Sequence, residues 1–182
     1  MKKENTVLYV VRLAVTLLLI AGIMAAALAG VNAVTAPIIA QLNYEKTQQA
    51  VSAVLEGGGE ELSTFPETPL VSKVYQGENG YAVEVTPSGF DNTITMMVGV
   101  GNDGNVTGIS IISHTETAGL GAVAAASTAA GTAFRDQFVG LNGTISVTKD
   151  GGQVEAITSA TITSRAVCDG VNAALAVVAA MG

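Results

Sequence analysis

The sequence predicts an α+β domain, an antiparallel sheet flanked by helices, hung on a single N-terminal transmembrane helix. Three observations predict it. Leu13 to Val34 is a run of 22 residues without a formal charge, and as a helix it spans roughly 33 Å, enough for a bilayer core. Two pairs of alternating, β-rich runs follow, each pair joined by a glycine-bearing connection, which is the pattern of hairpins. At the far end Val167, Val171, Leu175 and Val178 recur every three to four residues, the spacing of one helix face.

The anchor comes first in the chain. With 49% hydrophobic and 13% charged residues, the chain is more apolar than a soluble domain requires, and the excess sits in the N-terminal run. That run exceeds the usual signal-peptide core of about 7 to 15 residues, and its small residues are spread throughout, so it reads as an uncleaved anchor in preference to a signal peptide or a buried core helix. Lys2, Lys3 and Arg12 precede it against one acid, Glu4, which predicts a cytoplasmic N-terminus. The expected organisation is residues 1–12 cytoplasmic, 13–36 transmembrane, 37–69 stalk helix and linker, and 70–182 an extracytoplasmic domain.

Beyond Val34 five basic residues stand against fourteen acidic ones, a balance that argues against nucleic acid. The single cysteine, Cys168, allows no internal disulfide, and its place in the last helix predicts a small buried side chain.

Pro37 predicts a bend, with a second helix from Ile38 to Leu55 ended by Gly57-Gly58-Gly59. Glu60 to Pro69 reads as a surface linker. Leu70 to Gln76 and Tyr81 to Thr86 form the first predicted hairpin, and Thr93 to Val100 with Val106 to Ser113 the second, around Gly101-Asn102-Asp103-Gly104. Met96 and Met97 are adjacent on a strand and so point to opposite faces. Ala122 to Phe138 is alanine-rich and predicts one helix, weakened by Gly131. Thr144 to Thr148 is a further strand candidate, and the terminal helix is expected from Thr163 onward.

The chemistry-bearing residues are few. One histidine, His114, one cysteine and no cluster with ligand spacing argue against a protein metal site. There is no Gly-x-Ser-x-Gly elbow, P-loop or dinucleotide fingerprint. Two loops remain. Ser113 to Gly121 holds Glu116, Thr117, Ala118, Gly119, Leu120 and Gly121, with two glycines that let backbone approach a ligand closely. Thr158 to Ser164 packs five hydroxyl side chains into seven positions, ahead of a helix whose free amides could face an anion. By composition alone the first is a strand-to-helix connection and the second an N-cap, with Thr163 or Ser164 as the capping residue.

Thr158-Ser159-Ala160-Thr161-Ile162-Thr163-Ser164-Arg165-Ala166-Val167 resembles the Ser/Thr-Gly-Ala-Thr flavinylation motif of the FMN-binding domain family. Glu116-Thr117-Ala118-Gly119-Leu120-Gly121 is similar to the Glu-Thr-Pro-Gly-Leu-Gly loop of the G subunit of Rnf-type ion-translocating electron-transport complexes. Gly89-Phe90, Met96 to Val100 and Phe134 to Phe138 match in the same order, so the resemblance runs from the anchor to the terminal helix. Three positions depart from the pattern: Ser159 stands for glycine, Glu155 for aspartate and Ala118 for proline.

The resemblance implies FMN held by a phosphoester to Thr161, placed there by a flavin transferase, with Arg165 as an added cation near the phosphate. It implies binding contributions from Thr158, Ser159, Ala160, Ile162 and Thr163, and from Glu116, Thr117, Gly119, Leu120 and Gly121. It further implies an electron-carrier subunit of a ferredoxin:NAD oxidoreductase coupled to sodium or proton movement. Such a subunit sits single-pass in the bacterial inner membrane, beside subunits that carry flavin or iron-sulfur centres. The related C subunit of the sodium-pumping NADH:quinone reductase is the nearest alternative, and a membrane-anchored pilin-like structural protein is one of a different class. A domain of the expected kind needs no acid-base cluster, because the redox chemistry belongs to the cofactor.

Overall fold

The computed structural model describes residues 4–181, and side-chain burial from residue 7 onward. Lys2 and Lys3, which contribute to the expected cytoplasmic N-terminus, lie outside them. Two compact units divide at Glu45 and Lys46. The first is the N-terminal part of helix α1, which runs Glu4–Val54. Its leucines, isoleucines and valines are exposed, Leu17 by 67% and Leu18 by 71%, and it is long and apolar enough to cross a membrane. An unburied stripe of that size in water would be an aggregation site, so it suggests an anchor in a bilayer.

The sequence predicts a bend at Pro37 and a separate second helix, but α1 passes through Pro37 without a break. A proline in a helix interior removes one N–H and its bond to the carbonyl four residues back. The remaining ladder on both sides holds the helix together here.

The second unit is built on a five-stranded antiparallel meander in the order β1-β2-β3-β4-β5. The strands are β1 Glu60–Glu61, β2 Val71–Gly77, β3 Gly80–Val85, β4 Thr95–Gly101 and β5 Val106–Ser113. Both predicted hairpins are present, with Gly77 opposite Gly80 in the first and Val100 opposite Val106 in the second. β1 lies inside the expected linker, where Glu60 and Glu61 pair with Gln76 and Tyr75.

Each face of the sheet is covered by a helix. On one, Ala50, Val51 and Val54 from the end of α1, with Leu55 just after it, pack on Tyr75, Ala82 and Met97. On the other, Val74, Val83, Val85, Met96, Val98 and Val100 meet Val167, Val171, Ala174 and Val177 of helix α3, Thr161–Met181. Met96 and Met97 divide between the two clusters, as the period of a strand demands. α3 also has the length and mean hydropathy of a membrane span, but those four residues are fully buried, so it is a core helix of this domain.

The segment expected as one helix over 122–138 is two pieces, a 3-10 turn Gly121–Ala125 and helix α2, Ala129–Asp136. Thr128 caps α2 by accepting from the Gly131 amide at 3.3 Å. Arg135 closes the break by donating to the Ala124 carbonyl at 2.5 Å and the Ala126 carbonyl at 3.1 Å. A Cβ at Gly131 would strike the Val123 and Ala126 carbonyls, so glycine there permits the tight crossing. The expected strand over 144–148 is reduced to a single parallel bridge between Val147 and Val154. It runs into a 3-10 turn, Thr148–Asp150, which ends at Gly151 with φ +83°.

The helix-on-sheet contact at the end of α1 depends on bare glycine. A Cβ at Gly99 would collide with the Val54 carbonyl and the Thr107 hydroxyl, which itself donates to that carbonyl at 2.6 Å. Gly99→Val therefore lowers the unfolding free energy of the domain by about 1–3 kcal/mol, measured by chemical denaturation of the detergent-solubilised chain.

Candidate functional site

Three segments converge at the N-terminus of α3: the 87–94 excursion between β3 and β4, the loop after β5, and the turn 157–160. The excursion is a small closed loop, tied by Gly89 N–H to the Asn92 carbonyl at 2.8 Å and Ile94 N–H to the Pro87 carbonyl at 2.9 Å. Phe90 stands at its tip, 66% exposed.

Glu116 joins these pieces. It is buried, and its Oε1 accepts from the Phe90 amide at 2.8 Å and the Asp91 amide at 3.3 Å. Its Oε2 accepts from the Thr163 hydroxyl at 2.5 Å. A Cβ at Gly89 or at Gly121 would collide with this carboxylate, so both glycines are the space in which it fits. A buried carboxylate is tolerated when donors surround it, and here the donors come from two separate elements. Thr163, expected among the capping residues, is therefore a buried strut.

The hydroxyl stretch sorts itself by geometry. α3 begins at Thr161, two residues before the expected start, and its first helical bond is Ser164 N–H to the Ala160 carbonyl at 3.0 Å. Ser164 is not a cap either; it is fully buried, accepts from the Ile157 amide and donates to the Ala160 carbonyl, both at 3.0 Å. This locks the turn Ile157 to Ala160, closed by Ala160 N–H on the Ile157 carbonyl at 2.9 Å. Ser159 occupies its third position with φ +62°, the type II conformation that glycine adopts without cost.

The turn and the loops enclose a cavity of about 270 Å³ lined by Phe90, Glu116, Thr117, Leu120, Gly121, Ser159, Ala160, Thr161, Ile162 and Thr163. Nine sequence-predicted site residues thus meet in one place. Thr158 and Gly119 do not line it; Thr158 is an exposed turn residue, and Gly119 supplies a φ of +76° to its loop. Phe90 also lines it; the sequence marks it only within the Gly89-Phe90 match and not as a site residue.

The charges near Thr161 include a cation that the sequence does not single out. Arg165 is held by Asp150 through Nε at 2.6 Å and Nη2 at 2.7 Å, and that hydrogen bond keeps the Asp150 carboxyl below its usual range. A further cation, Lys149, lies at Thr161 itself, its Nζ donating to Thr161 Oγ1 at 3.0 Å. Cys168 takes no part. Burial pushes its thiol up to about 12, where it remains protonated and inert. Among the described residues there is no group of histidine, cysteine and carboxylates that could hold a metal ion.

A cavity lined by apolar residues and a threonine, beside an ammonium and the free amides of a helix start, suits a ligand that joins an apolar ring to an anionic group. Residues 89–176 match the family described as the FMN-binding domain. Over most of its length the chain is 33% identical, across 192 residues covering 92% of it and 91% of the relative, to the G subunit of a sodium-translocating ferredoxin:NAD+ oxidoreductase complex of Acetobacterium woodii. It is 32% identical over 185 residues, 94% of this chain and 95% of the relative, to the G subunit of an ion-translocating oxidoreductase complex of Methanosarcina acetivorans. The G subunit of a proton-translocating ferredoxin:NAD+ oxidoreductase complex of Clostridium ljungdahlii is 30% identical over 183 residues, 96% of this chain and 92% of the relative. The chain belongs to this family, the G subunits of Rnf-type ion-translocating oxidoreductase complexes.

Two substitutions test the architecture. Glu116→Ala strands the Phe90 amide and the Thr163 hydroxyl and lowers stability by about 1–3 kcal/mol, read from denaturant midpoints, with increased hydrogen exchange confined to the 87–94 loop and the start of α3. Ser159→Gly relieves the left-handed serine and raises stability by up to about 1 kcal/mol, seen as a higher thermal midpoint.

Proposed function

We propose that this chain is the electron-carrier subunit of a membrane-bound ferredoxin:NAD+ oxidoreductase coupled to ion translocation, and that it carries FMN as a phosphoester on Thr161. The observation that supports the reading most strongly is the setting of Thr161. Thr161 lines the cavity, is the first residue of α3, and has its hydroxyl beside the Lys149 ammonium.

The residues fit the group. The first amides of α3 have no carbonyl one turn back to bond, and with the positive end of the helix dipole they favour an anion. Phe90, Leu120 and Ile162, exposed by 66%, 41% and 49%, offer apolar surface on three different segments for a planar ring. Glu116 keeps those segments in register. Thr158 and Glu155 are exposed and leave the turn open to a flavin transferase.

Attachment needs an activated donor, since a free phosphate does not esterify a hydroxyl in water, and a flavin dinucleotide is the fitting class. The bond from Thr161 Oγ to phosphorus forms, the pyrophosphate bond breaks, the hydroxyl proton passes to a base of the transferase, and a nucleoside monophosphate leaves. Bound FMN supplies one- and two-electron transfer, and the chain contributes position and retention. A covalent link matters for a cofactor working outside the cytoplasm, where a dissociated flavin is lost.

In this reading the N-terminus faces the cytoplasm, α1 spans the inner membrane and the domain works on the opposite side, exchanging electrons with redox centres of neighbouring membrane subunits. Coexpression of the full chain with a flavin transferase yields a fluorescent band that survives denaturing electrophoresis, and Thr161→Ala abolishes it. A band of equal brightness in that variant overturns the assignment.

A further inference from the structure

We infer that Lys149 is the dedicated counter-cation of the phosphate on Thr161, a role that rests on the covalent FMN reading above. The inference starts from a pair of parallel ties. Lys149 and Asp150 are neighbours in the 3-10 turn Thr148–Asp150, and each reaches a different residue near the start of α3, Thr161 and Arg165. Lys149 Nζ donates to Thr161 Oγ1 at 3.0 Å, and Asp150 accepts from Arg165 at 2.6 and 2.7 Å. Thr161 and Arg165 are four apart and share one helix face. The tandem therefore fixes the turn against the helix at two points.

The backbone beneath Lys149 is also held. Thr148 N–H bonds the Val154 carbonyl at 2.8 Å, and Asp150 and Gly152 N–H both bond the Val147 carbonyl, at 2.8 and 3.0 Å. The ammonium is thus presented to Thr161 by a short, closed segment and not by a free loop.

The other cations of the domain that the structure ties down are engaged elsewhere. Arg165 belongs to Asp150, Arg135 to the Ala124 and Ala126 carbonyls, and Lys73 to Glu61. Lys149 has no ion-pair partner among the described residues, and its polar contact is a neutral hydroxyl. Such a contact is a weak reason to hold an exposed lysine in one place.

Esterification changes that. The ester oxygen stays where the hydroxyl oxygen was, and the charged non-bridging oxygens lie two bonds from it, within the reach of an ammonium already touching Thr161 Oγ1. A phosphodiester carries one negative charge, and Lys149 supplies one positive charge in a charge-assisted contact. The Asp150–Arg165 pair keeps the nearby carboxylate from competing for Lys149.

The test is a direct measurement of the contact. A full-length chain in which Lys149 is the only lysine, with Lys2, Lys3, Lys46 and Lys73 replaced by arginine, is labelled with 15N at the lysine side chain, loaded with flavin and reconstituted in vesicles. Solid-state NMR then detects dipolar dephasing of the phosphorus signal by nitrogen, and this dephasing is lost in otherwise identical protein carrying Lys149→Arg, which keeps the charge but not the label. A covalent flavin whose phosphorus shows no dephasing in the Lys149-only chain overturns the inference while leaving attachment at Thr161 intact. A chain with no phosphorus signal bound to protein, under a transferase that labels another substrate, defeats the covalent reading itself and the inference with it.

Discussion

One buried carboxylate holds the site together. Glu116 belongs to the loop after β5, yet its two oxygens bind the tip of the β3–β4 excursion and the first turn of α3. Without it, three segments far apart in sequence would have no polar reason to stay in contact. The arrangement is demanding, because a carboxylate shielded from water must find donors or be expelled. Gly89 and Gly121 supply room for it, so two glycines and one glutamate act as a single unit. The apolar positions on the cavity rim, Phe90, Leu120 and Ile162, owe their mutual placement to that unit.

The sheet separates two tasks. Its α1 face closes over a small cluster around Met97, while its α3 face builds the larger core that fixes the helix whose N-terminus forms the site. Val167, Val171, Ala174 and Val177 seat α3 on the strands, and Ser164 then fastens the preceding turn to it. Position is thus transmitted from hydrophobic packing to the hydroxyl of Thr161 through one rigid helix. A carrier of electrons benefits from such rigidity, since its protein part has no bond to make or break during turnover.

Much of this was legible in the residues. The apolar run, both hairpins, the opposite facing of Met96 and Met97 and the amphipathic last helix all follow from local periodicity, and the structure contains each. Local reasoning failed where distant partners decide. Thr163 and Ser164 have the chemistry of caps, but Glu116 and Ile157 claim them from outside the helix. Arg165 looked free beside Thr161 until Asp150 took it, and Lys149 was hidden because twelve positions of sequence separate it from the hydroxyl it meets. The helix expected over 122–138 is broken between Ala125 and Ala129, where Thr128 caps α2 and Arg135 ties the Ala124 carbonyl. At Pro37 the separate second helix does not appear, because α1 runs through the proline as one element. The Ser159 departure from glycine acquires its meaning only with a φ of +62°.

The burial of Cys168 has a consequence outside the site. With its thiol pushed up to about 12 and the side chain sealed beneath α3, the only sulfhydryl of the chain is silent while the domain is closed. A reagent reaches it only where the packing between α3 and the sheet loosens, so the thiol marks the integrity of the core on that face.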